Sequence, residues 1–397
     1  MLNQSIPKII VGSGKDQSLR RFHPWVFSGA IKKIKGEVAD GDVVEVFSNH
    51  DEYLGTGHYQ EGSIAVRIFS FKPVRPGEDF WAAKIENALS YRTLLGLTDS
   101  AHTNVYRLVY AEGDGLPGLI IDYYNGTAVL QAHSIGMHKE RAHITEALKK
   151  VYGEKLKAVY DKSHESLGSR YAEELKKGYL FGSDKEKEVT ENGNRFKIDF
   201  EEGQKTGFFI DQRENRKLVA RYAPGRNVLD CFCYAGGFSV YALKTGAQAV
   251  TSVDSSRSAI KLTDNNIKLN FGDGAKQTSY ITDAFDFLKG KPNEYNLMVI
   301  DPPAFAKHRE ARHHAVMGYK RLNALAIKGI KPGGIIFTFS CSQVVDKYLF
   351  HGAITAAAIE AGRNVRIMQY LSQPADHPIS IYHPEGEYLK GMLLHVE

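Results

Sequence analysis

The most reactive group that the sequence offers is a thiol at the end of a predicted strand. Residues 335–340 form an apolar run typical of a strand buried on both faces, and Cys341 follows between two serines. In a partly exposed, electropositive place such a thiol ionises to the thiolate, which is the nucleophilic form. The alternative is a small buried thiol, the commonest fate of a free cysteine. Position alone leaves both interpretations open.

Four aspartates end four successive predicted strands in the C-terminal half: Asp230, Asp254, Asp283 and Asp301. In open parallel sheets, ligands bind beyond the carboxyl ends of the strands. There Asp254 can accept hydrogen bonds from both ribose hydroxyls, Asp283 can accept one from an adenine amine, and Asp301 borders the reaction site. A single aspartate after a strand is more often a helix N-cap. Four in succession favour a nucleoside cofactor.

The turn after the first of these strands, DCFCYAGGFS, contains paired glycines that let the backbone approach a ligand closely. It is not G-x-G-x-x-G, so it is a poor cradle for the pyrophosphate of NAD. We therefore expect S-adenosylmethionine as the cofactor, and an NAD-dependent dehydrogenase is disfavoured. The residues of this turn assigned to the cofactor site are Asp230, Phe232, Tyr234, Gly236 and Gly237.

The elements that must position these residues alternate strictly between strand and helix from about residue 190. This alternation predicts a parallel sheet with helices on both faces. The chain closes with two strand-like runs, VRIMQYL and YLKGMLLHV, whose connection cannot hold a long crossover helix. They predict a terminal antiparallel hairpin, which distinguishes a methyltransferase sheet from a dehydrogenase sheet. The predicted fold class is α/β, with a Rossmann-like class I methyltransferase sheet.

Two further domains are expected before that sheet. Residues 1–72 alternate short strand-like runs with glycines, which is typical of a small β-barrel. Residues 73–189 mix helical and strand-like segments and predict an α+β middle domain, and residues 190–397 form the sheet domain. The polar segment 183–194 is predicted to be a surface hairpin or a linker. A length of 397 residues agrees with two or three domains.

The composition excludes several classes of protein. No apolar run approaches the roughly 20 residues of a membrane helix, and the N-terminus lacks the apolar core of a signal peptide. A cytoplasmic protein with no membrane partner is expected. The three cysteines, Cys231, Cys233 and Cys341, cannot form a disulfide framework or a four-cysteine zinc site, and no metal is expected. The first two are interpreted as structural.

Positive charge is concentrated at the N-terminus. Residues 1–36 contain seven lysines and arginines against one acid, so this segment carries +6 while the whole chain carries +5. A basic end on a near-neutral body indicates a polyanionic partner such as nucleic acid, and the alternative is a solvated face of a small barrel. The basic residues expected to contact the substrate are Lys8, Lys15, Arg20 and Arg21.

A run of motifs carries a family resemblance over nearly the whole chain. GQKTGFFIDQRENR (203–216), DCFCYAGGFS, IDPPAFAK (300–307), GYKRLNALAI, FSCS and PADHPI occur in that order, after RRFHPWVFSGAI (20–31) and AEGDGLPGL. Together they resemble the PUA–EEHEE–methyltransferase family of 23S rRNA 5-methylcytosine methyltransferases. The resemblance implies a PUA-like RNA-binding barrel, an EEHEE-type middle domain and a large-subunit rRNA substrate. Residues 161–188 depart from the family, because they are more acidic than its basic stretch at that place.

The resemblance also implies a role for the thiol. A Cys341 thiolate would add to C6 of cytosine so that C5 can attack the sulfonium methyl, after which the C5 proton leaves and the thiol is eliminated. Asp301 could hydrogen-bond the N3 edge of the base, and the residue that removes the C5 proton is not identified. In the cofactor site the resemblance places Lys205, Thr206, Phe208, Asp211 and Arg213, whereas Phe209 is interpreted as core packing.

Substrate contacts are expected around the same loops. Pro302 and Pro303 would shape a slot for the base, and Phe305 could stack on it. Lys320 and Arg321 are candidate cations for a phosphate or for the thiolate, with an exposed helix face as the alternative. A base within a helix could not reach this site, so an unpaired or flipped-out target is expected. Asp376 and His377 are interpreted either as positioning or proton-transfer residues or as a brace for their loop.

Two other functions stay open. An exocyclic-amine methyltransferase acting on guanine N2 would also suit Asp-Pro-Pro-Ala-Phe and would not require the thiol. A non-catalytic RNA-binding ribosome assembly factor would keep the fold without needing the acids of the cofactor site. Among partners, a homodimer is left open.

Overall fold

The computed structural model describes residues 6–171, 175–184, 187–290, 293–306 and 308–397. Lys307, the last residue of the IDPPAFAK motif, and positions 185–186 of the predicted linker lie outside these ranges. The chain divides into two compact units. The first comprises residues up to Val189, Asp199–Phe208 and Ala375–Gly386, and the second comprises Thr190–Ile198, Phe209–Pro374 and Glu387–Glu397. The predicted domain boundaries at 72/73 and 189/190 stay predictions.

The first unit contains two sheets. One has six strands in the order β2-β6-β5-β4-β1-β3, and the other has five in the order β11-β10-β9-β8-β7. Helices α2 and α4 place buried side chains such as Trp81 and Leu148 in the same core as the five-stranded sheet. The elements are β1 Lys8–Val11, α1 Gln17–Arg20, β2 Trp25–Phe27, β3 Ile31–Lys35, β4 Val43–Phe47, β5 Tyr53–Tyr59, β6 Ile64–Ser70, α2 Glu78–Leu94, β7 Val105–Tyr110, β8 Leu119–Tyr124, β9 Thr127–Ala132, α3 Ile135–Lys139, α4 Arg141–Tyr152, β10 Ala158–Asp161 and β11 Gly178–Gly182.

The hairpin predicted at 183–194 is present at its C-terminal end. Strand β12, Glu188–Glu191, pairs with β13, Asn194–Lys197. Asn192 and Gly193 connect them with φ of 49° and 76°. Positive φ at both central residues is the geometry that favours Asn-Gly in a tight hairpin.

The second unit contains a seven-stranded sheet in the order β16-β15-β14-β17-β18-β20-β19. All neighbours are parallel except β18–β20 and β20–β19, so the predicted terminal antiparallel hairpin is confirmed. Every residue of β18 is buried, as its unbroken apolar run predicts. The elements are α5 Arg213–Tyr222, β14 Asn227–Cys231, α6 Gly237–Lys244, β15 Ala249–Asp254, α7 Arg257–Phe271, β16 Gln277–Ile281, α8 Ala284–Lys289, β17 Leu297–Ile300, α9 Arg312–Gly329, β18 Gly334–Ser340, α10 Lys347–Ala361, β19 Val365–Ser372 and β20 Lys390–Val396.

Candidate active site at the carboxyl edge of the sheet

Strand register brings the predicted acids and the thiol to one edge of the sheet. Cys231 of β14 pairs with Ile300 of β17, and Ile300 pairs with Thr338 of β18. Asp301 therefore leaves the sheet one residue after this row, and Cys341 leaves it one residue after the end of β18. Adjacent strands lie about 4.8 Å apart, so the loops that follow β17 and β18 are neighbours.

The turn after β14 is built on unusual backbone conformations. Phe232, Tyr234 and Gly236 have φ of 63°, 47° and 72°. Left-handed backbone is uncommon for aromatic residues and clusters at functional sites. Close packing within the protein requires both glycines. A Cβ on Gly236 would lie 2.8 Å from Cγ2 of Thr263, and a Cβ on Gly237 would lie 2.9 Å from Cδ of Arg216.

Asp230 supports this turn from beneath. Its side chain is fully buried, and one carboxylate oxygen accepts hydrogen bonds from the amide and the hydroxyl of Ser239 at 3.1 and 2.7 Å. Burial raises the pKa of Asp230 to about 7. A carboxyl without exposed surface braces the start of α6, and its predicted contact with the cofactor stays a prediction.

The next two aspartates differ in what they hold. Asp254 is half-buried and accepts from the amide nitrogens of Tyr234 and Ser256 at 3.2 and 2.8 Å, while Ser256 caps α7. Asp283 is exposed and is itself the N-cap of α8, accepting from the amide of Phe285 at 2.8 Å. The capping alternative therefore holds for Asp283. Only its Oδ1 accepts from the helix amides, and Oδ2 takes no part in the cap.

The motif 203–216 is divided between the two units. In the first, Thr206 is buried and donates to Asp122 at 2.5 Å, Phe208 is 5% exposed, and Lys205 is exposed with a left-handed φ of 49°. In the second, Asp211 and Arg213 are buried, and Asp211 accepts from the hydroxyl of Tyr388.

The interpretation of Phe209 as the core residue of this motif is wrong. Phe208 is the buried member of the pair, whereas Phe209 is only half-buried. The ring of Phe209 meets that of Tyr234 edge to face, with 5.0 Å between centroids. A run of two phenylalanines gives no periodicity from which to choose between them.

Asp301 is oriented by two residues that the sequence analysis did not single out. Its carboxylate accepts from the side-chain amide of Gln212 at 3.0 Å. The amide oxygen of Gln212 in turn accepts from Asn215 at 2.6 Å. Both lie in the DQREN part of the motif, which was the available signal.

Cys341 is partly exposed and lies next to a buried cation. Lys390, on β20, is 7% exposed and donates to the carbonyl of Ser342 at 2.7 Å. Burial lowers the pKa of Lys390, and the charge of a Cys341 thiolate acts in the opposite direction. Ser342 also donates to the carbonyl of Ala306 at 2.8 Å, which ties the thiol loop to the Asp301 loop. The arrangement is the electropositive, accessible place that a thiolate needs.

A buried tyrosine is close enough to both reactive groups to respond to their charges. Burial raises the pKa of Tyr319 to about 12, and the charges of Cys341 and Asp301 act in the same direction. Tyr319 therefore stays a neutral phenol beneath this edge of the sheet.

Several predicted substrate contacts have partners within the second unit. Phe305 packs on Tyr319 with 4.7 Å between ring centroids, so one side of the ring is already occupied. Pro303 is exposed, whereas Pro302 is buried. Lys320 pairs with Glu360 at 2.7 Å, and the guanidinium of Arg321 lies 5.9 Å from the ring of Phe285. Lys320 is half-buried and Arg321 is exposed, and their predicted contact with a phosphate or the thiolate stays a prediction.

The basic residues of the first unit also differ in their surroundings. Arg20 pairs with Asp16 at 2.7 Å and with Glu52, and the ammonium of Lys8 lies 4.5 Å from the ring of Phe47. Lys15 and Arg21 are exposed. The predicted RNA contact is therefore best supported for the last two.

Asp376 and His377 brace the first unit. Both are buried, and Asp376 accepts from the amide of Arg107 at 3.0 Å. His377 lies 3.1 Å from Asp376 and packs on Tyr110. These contacts support the loop-bracing interpretation.

Models of two protein families match the chain. The model of S-adenosylmethionine-dependent methyltransferases matches residues 107–378, and that of PUA-like domains matches residues 9–71. An Aeromonas hydrophila protein named ribosomal RNA large subunit methyltransferase I is 38% identical over 394 residues, covering 97% of this chain and 98% of that protein. An Escherichia coli O157:H7 protein of the same name is 35% identical over 396 residues, covering 98% and 99%.

Solved structures agree on the fold. A methyltransferase from Streptococcus mutans covers 98% of this chain and 100% of its own, with a TM-score of 0.83 at 23% identity. A methyltransferase in complex with SAH gives a TM-score of 0.84 at 24% identity and the same coverage. Among the described residues, no helix is long and apolar enough to cross a membrane.

Proposed function

The chain belongs to the family of S-adenosylmethionine-dependent methyltransferases, and on that premise we propose that it forms 5-methylcytosine in large-subunit ribosomal RNA through a covalent bond between Cys341 and the base. The names of the curated relatives support the substrate class. One observation carries the choice of cytosine C5. A partly exposed thiol lies beside a buried lysine, in a loop tied to the loop that holds Asp301.

The acids of the sheet edge fit the cofactor. S-adenosylmethionine presents ribose hydroxyls and an adenine amine as donors, and Asp254 and Asp283 offer carboxylate oxygens at the ends of neighbouring strands. The cofactor supplies an electrophilic methyl group on a sulfonium. Asp230, buried below the turn, holds the loop that these contacts require.

The residues of the chain prepare the base for that methyl group. The Cys341 thiolate would form a bond to C6, and the displaced electron pair of the C5–C6 double bond makes C5 an enamine-like nucleophile. C5 would then take the methyl group as its bond to the sulfonium sulfur breaks and S-adenosylhomocysteine leaves. A base then removes the C5 proton, and the electrons of that C–H bond restore the ring as the C6–S bond breaks and the thiolate is released. Asp301, held by Gln212, lies at the loop expected to meet the N3 edge of the cytosine. Lys390 stabilises the thiolate electrostatically.

The reaction requires that the target cytosine be accessible to the thiol. A cytosine stacked in a helix does not expose C6 to a protein thiol, so the target is unpaired or flipped out. The PUA-like barrel supplies exposed cations, Lys15 and Arg21, for the surrounding phosphates. With ribosomal RNA as its substrate, the enzyme is expected in the cytoplasm. A homodimer remains a prediction that light scattering of the purified protein would decide.

Substitution of the thiol tests the proposal. Cys341→Ala should abolish methylation of large-subunit rRNA, by at least about 10³-fold given the loss of a covalent nucleophile. RNA carrying 5-fluorocytosine at the target should form a covalent complex with the native enzyme and none with Cys341→Ala. S-adenosylmethionine binding, measured by titration calorimetry, should be the same for both proteins.

The rival functions give other results. Retained methylation in Cys341→Ala, with the label on guanine N2, would establish the amine methyltransferase and exclude the covalent mechanism. Absence of cofactor binding to the native protein at millimolar concentration would favour the assembly factor. Mapping the methyl group on the RNA identifies the nucleotide.

A further inference from the structure

Two histidines and a glutamate from opposite ends of the sequence lie together in the first unit. Nε2 of His23 is 3.5 Å from Glu385, and Nε2 of His383 is 3.8 Å from the other oxygen of the same carboxylate. One possible ligand atom from each of the three residues lies within 4.8 Å of the other two. Among the described residues, these three form a group of His and Glu side chains that could hold a metal ion. His23 lies in the RRFHPWVFSGAI motif, and the proposed methyl transfer does not use it.

His383 is an unsatisfied buried group. Its side chain is 3% exposed, and neither ring nitrogen has a hydrogen-bond partner among the described residues. Buried polar atoms are hydrogen-bonded or ligated in the great majority of cases, since an orphan costs its full desolvation energy. The ring is held in place by Trp25, edge to face, with 4.4 Å between centroids. It is therefore a fixed imidazole that lacks the partner its burial requires.

The electrostatics of the group favour a cation. Two carboxylates lie around the His383 ring: Glu385 is 3.8 Å from its Nε2, and Glu112 binds the indole of Trp25, on which that ring packs. An imidazole binds a metal through the lone pair of one ring nitrogen. Glu112 is already oriented by the indole of Trp25, which donates to it at 2.8 Å. When they bind an ion, two imidazole ligands and one carboxylate ligand carry a charge of −1, which is complementary to a divalent cation.

The donor set and spacing select the metal. Two histidines and one glutamate, with an open fourth position, form a known zinc ligand set, with bonds of about 2.0–2.2 Å. Tetrahedral geometry at that bond length separates ligand atoms by roughly 3.4 Å. With one ligand atom taken from each residue, the three atoms lie within 4.8 Å of one another, and modest side-chain rotation would bring them to this value.

We propose that His23, His383 and Glu385 bind one zinc ion, with water at the fourth position, and that the ion fastens the segment Ala375–Gly386 to the β2 edge of the six-stranded sheet. The sequence analysis expected no metal because the three cysteines form no zinc site, and it did not identify this group because the ligands are separated by some 360 positions and follow no zinc spacing. The site is independent of methyl transfer, since none of its residues belongs to the proposed cofactor or thiol sites.

Metal titration of the full-length protein tests this site. After treatment with a chelator and dialysis, calorimetric titration with zinc sulfate should show one equivalent bound, with a rise in melting temperature. Loading with Co²⁺ should give visible d–d absorption without a thiolate charge-transfer band, because the site has no cysteine. His23→Gln and Glu385→Gln should each weaken zinc binding at least tenfold.

The matched control is His50→Gln, which removes an exposed histidine at the turn before β5. It should bind zinc as the native protein does. Glu385 is half-exposed and His23 lies near the surface, so these two variants test the site even if a change at His383 impairs folding. No zinc uptake at tens of micromolar, or uptake unaffected by His23→Gln and Glu385→Gln, would overturn the proposal.

Discussion

At the scale of single residues, Asp230 makes the stability of the second unit depend on pH. Its pKa rises from 3.8 to about 7 on folding because the carboxyl is fully buried. Between pH 3.8 and about 7, the folded state therefore holds a proton on Asp230 that the unfolded state has lost. This contribution is complete below pH 3.8, falls as pH rises toward 7, and amounts to about 4 kcal/mol at most.

Asp230→Asn should remove this dependence. The free energy of urea unfolding of the cofactor-free protein should fall less between pH 5 and pH 8 in the variant than in the native protein. Asp286→Asn, on an exposed helix face, serves as the control and should keep the native slope. Equal slopes for native and Asp230→Asn proteins would show that the carboxyl is already ionised at pH 5.

The sequence indicates reactive residues better than it indicates their supports. Cys341 and the strand-end aspartates stand out because a strand's end is visible in the hydrophobic pattern. Gln212 and Lys390 do not, since each acquires its role from a partner far along the chain, Asp301 or the Ser342 carbonyl. Such contacts exist only once strands β17, β18 and β20 are in register.

At the scale of elements, a buried ion pair fixes the β12–β13 hairpin against α5. Arg216 donates two hydrogen bonds to Glu191 at 2.8 and 2.7 Å, and both side chains are almost fully buried. Tyr241 of α6 also donates to Glu191, at 2.9 Å. Removing one partner of a buried pair leaves an uncompensated charge, which costs about 3–5 kcal/mol.

We therefore expect Glu191→Gln to lower the free energy of urea unfolding by about 3 kcal/mol or more. Glu191→Leu combined with Arg216→Met should recover much of that loss, because no charge then remains buried. The exposed Asp286–Lys289 pair of the same unit gives the matched control, and Asp286→Asn should cost less than about 1 kcal/mol. A cost of Glu191→Gln as small as that of Asp286→Asn would mean that water reaches Arg216.

The order of elements was predictable from sequence, whereas their grouping was not. Helix and strand periodicity located the parallel sheet and its closing hairpin. The division of the motif 203–216 after Phe208 leaves no mark in the sequence, because no proline or polar run interrupts GQKTGFFIDQ. The segment Ala375–Gly386 likewise reads as a simple loop between β19 and β20, yet its contacts assign it to the first unit.

At the scale of the whole molecule, charge is the property that selects the partner. The first 36 residues carry +6 on a chain of +5, which indicates a polyanionic partner for an otherwise near-neutral protein. The structure shows which of these basic residues are compensated by acids. Arg20 is compensated by Asp16 and Glu52, whereas Lys15 and Arg21, like Lys32, Lys33 and Lys35, are exposed cations of this segment.

Lys15→Gln combined with Arg21→Gln should therefore weaken binding of the substrate RNA and reduce its dependence on salt. Each phosphate contact releases condensed counterions, so the slope of log affinity against log salt should become less negative by about 1 for each residue. Fluorescence anisotropy with a fragment of large-subunit rRNA, from low to high salt, measures both effects.

Lys244→Gln combined with Lys276→Gln removes the same charge from exposed positions of the second unit and controls for the overall electrostatic field of the protein. If both double variants lose affinity equally, long-range charge alone attracts the RNA. A loss and a shallower slope confined to the first variant would assign the phosphate contact to the barrel.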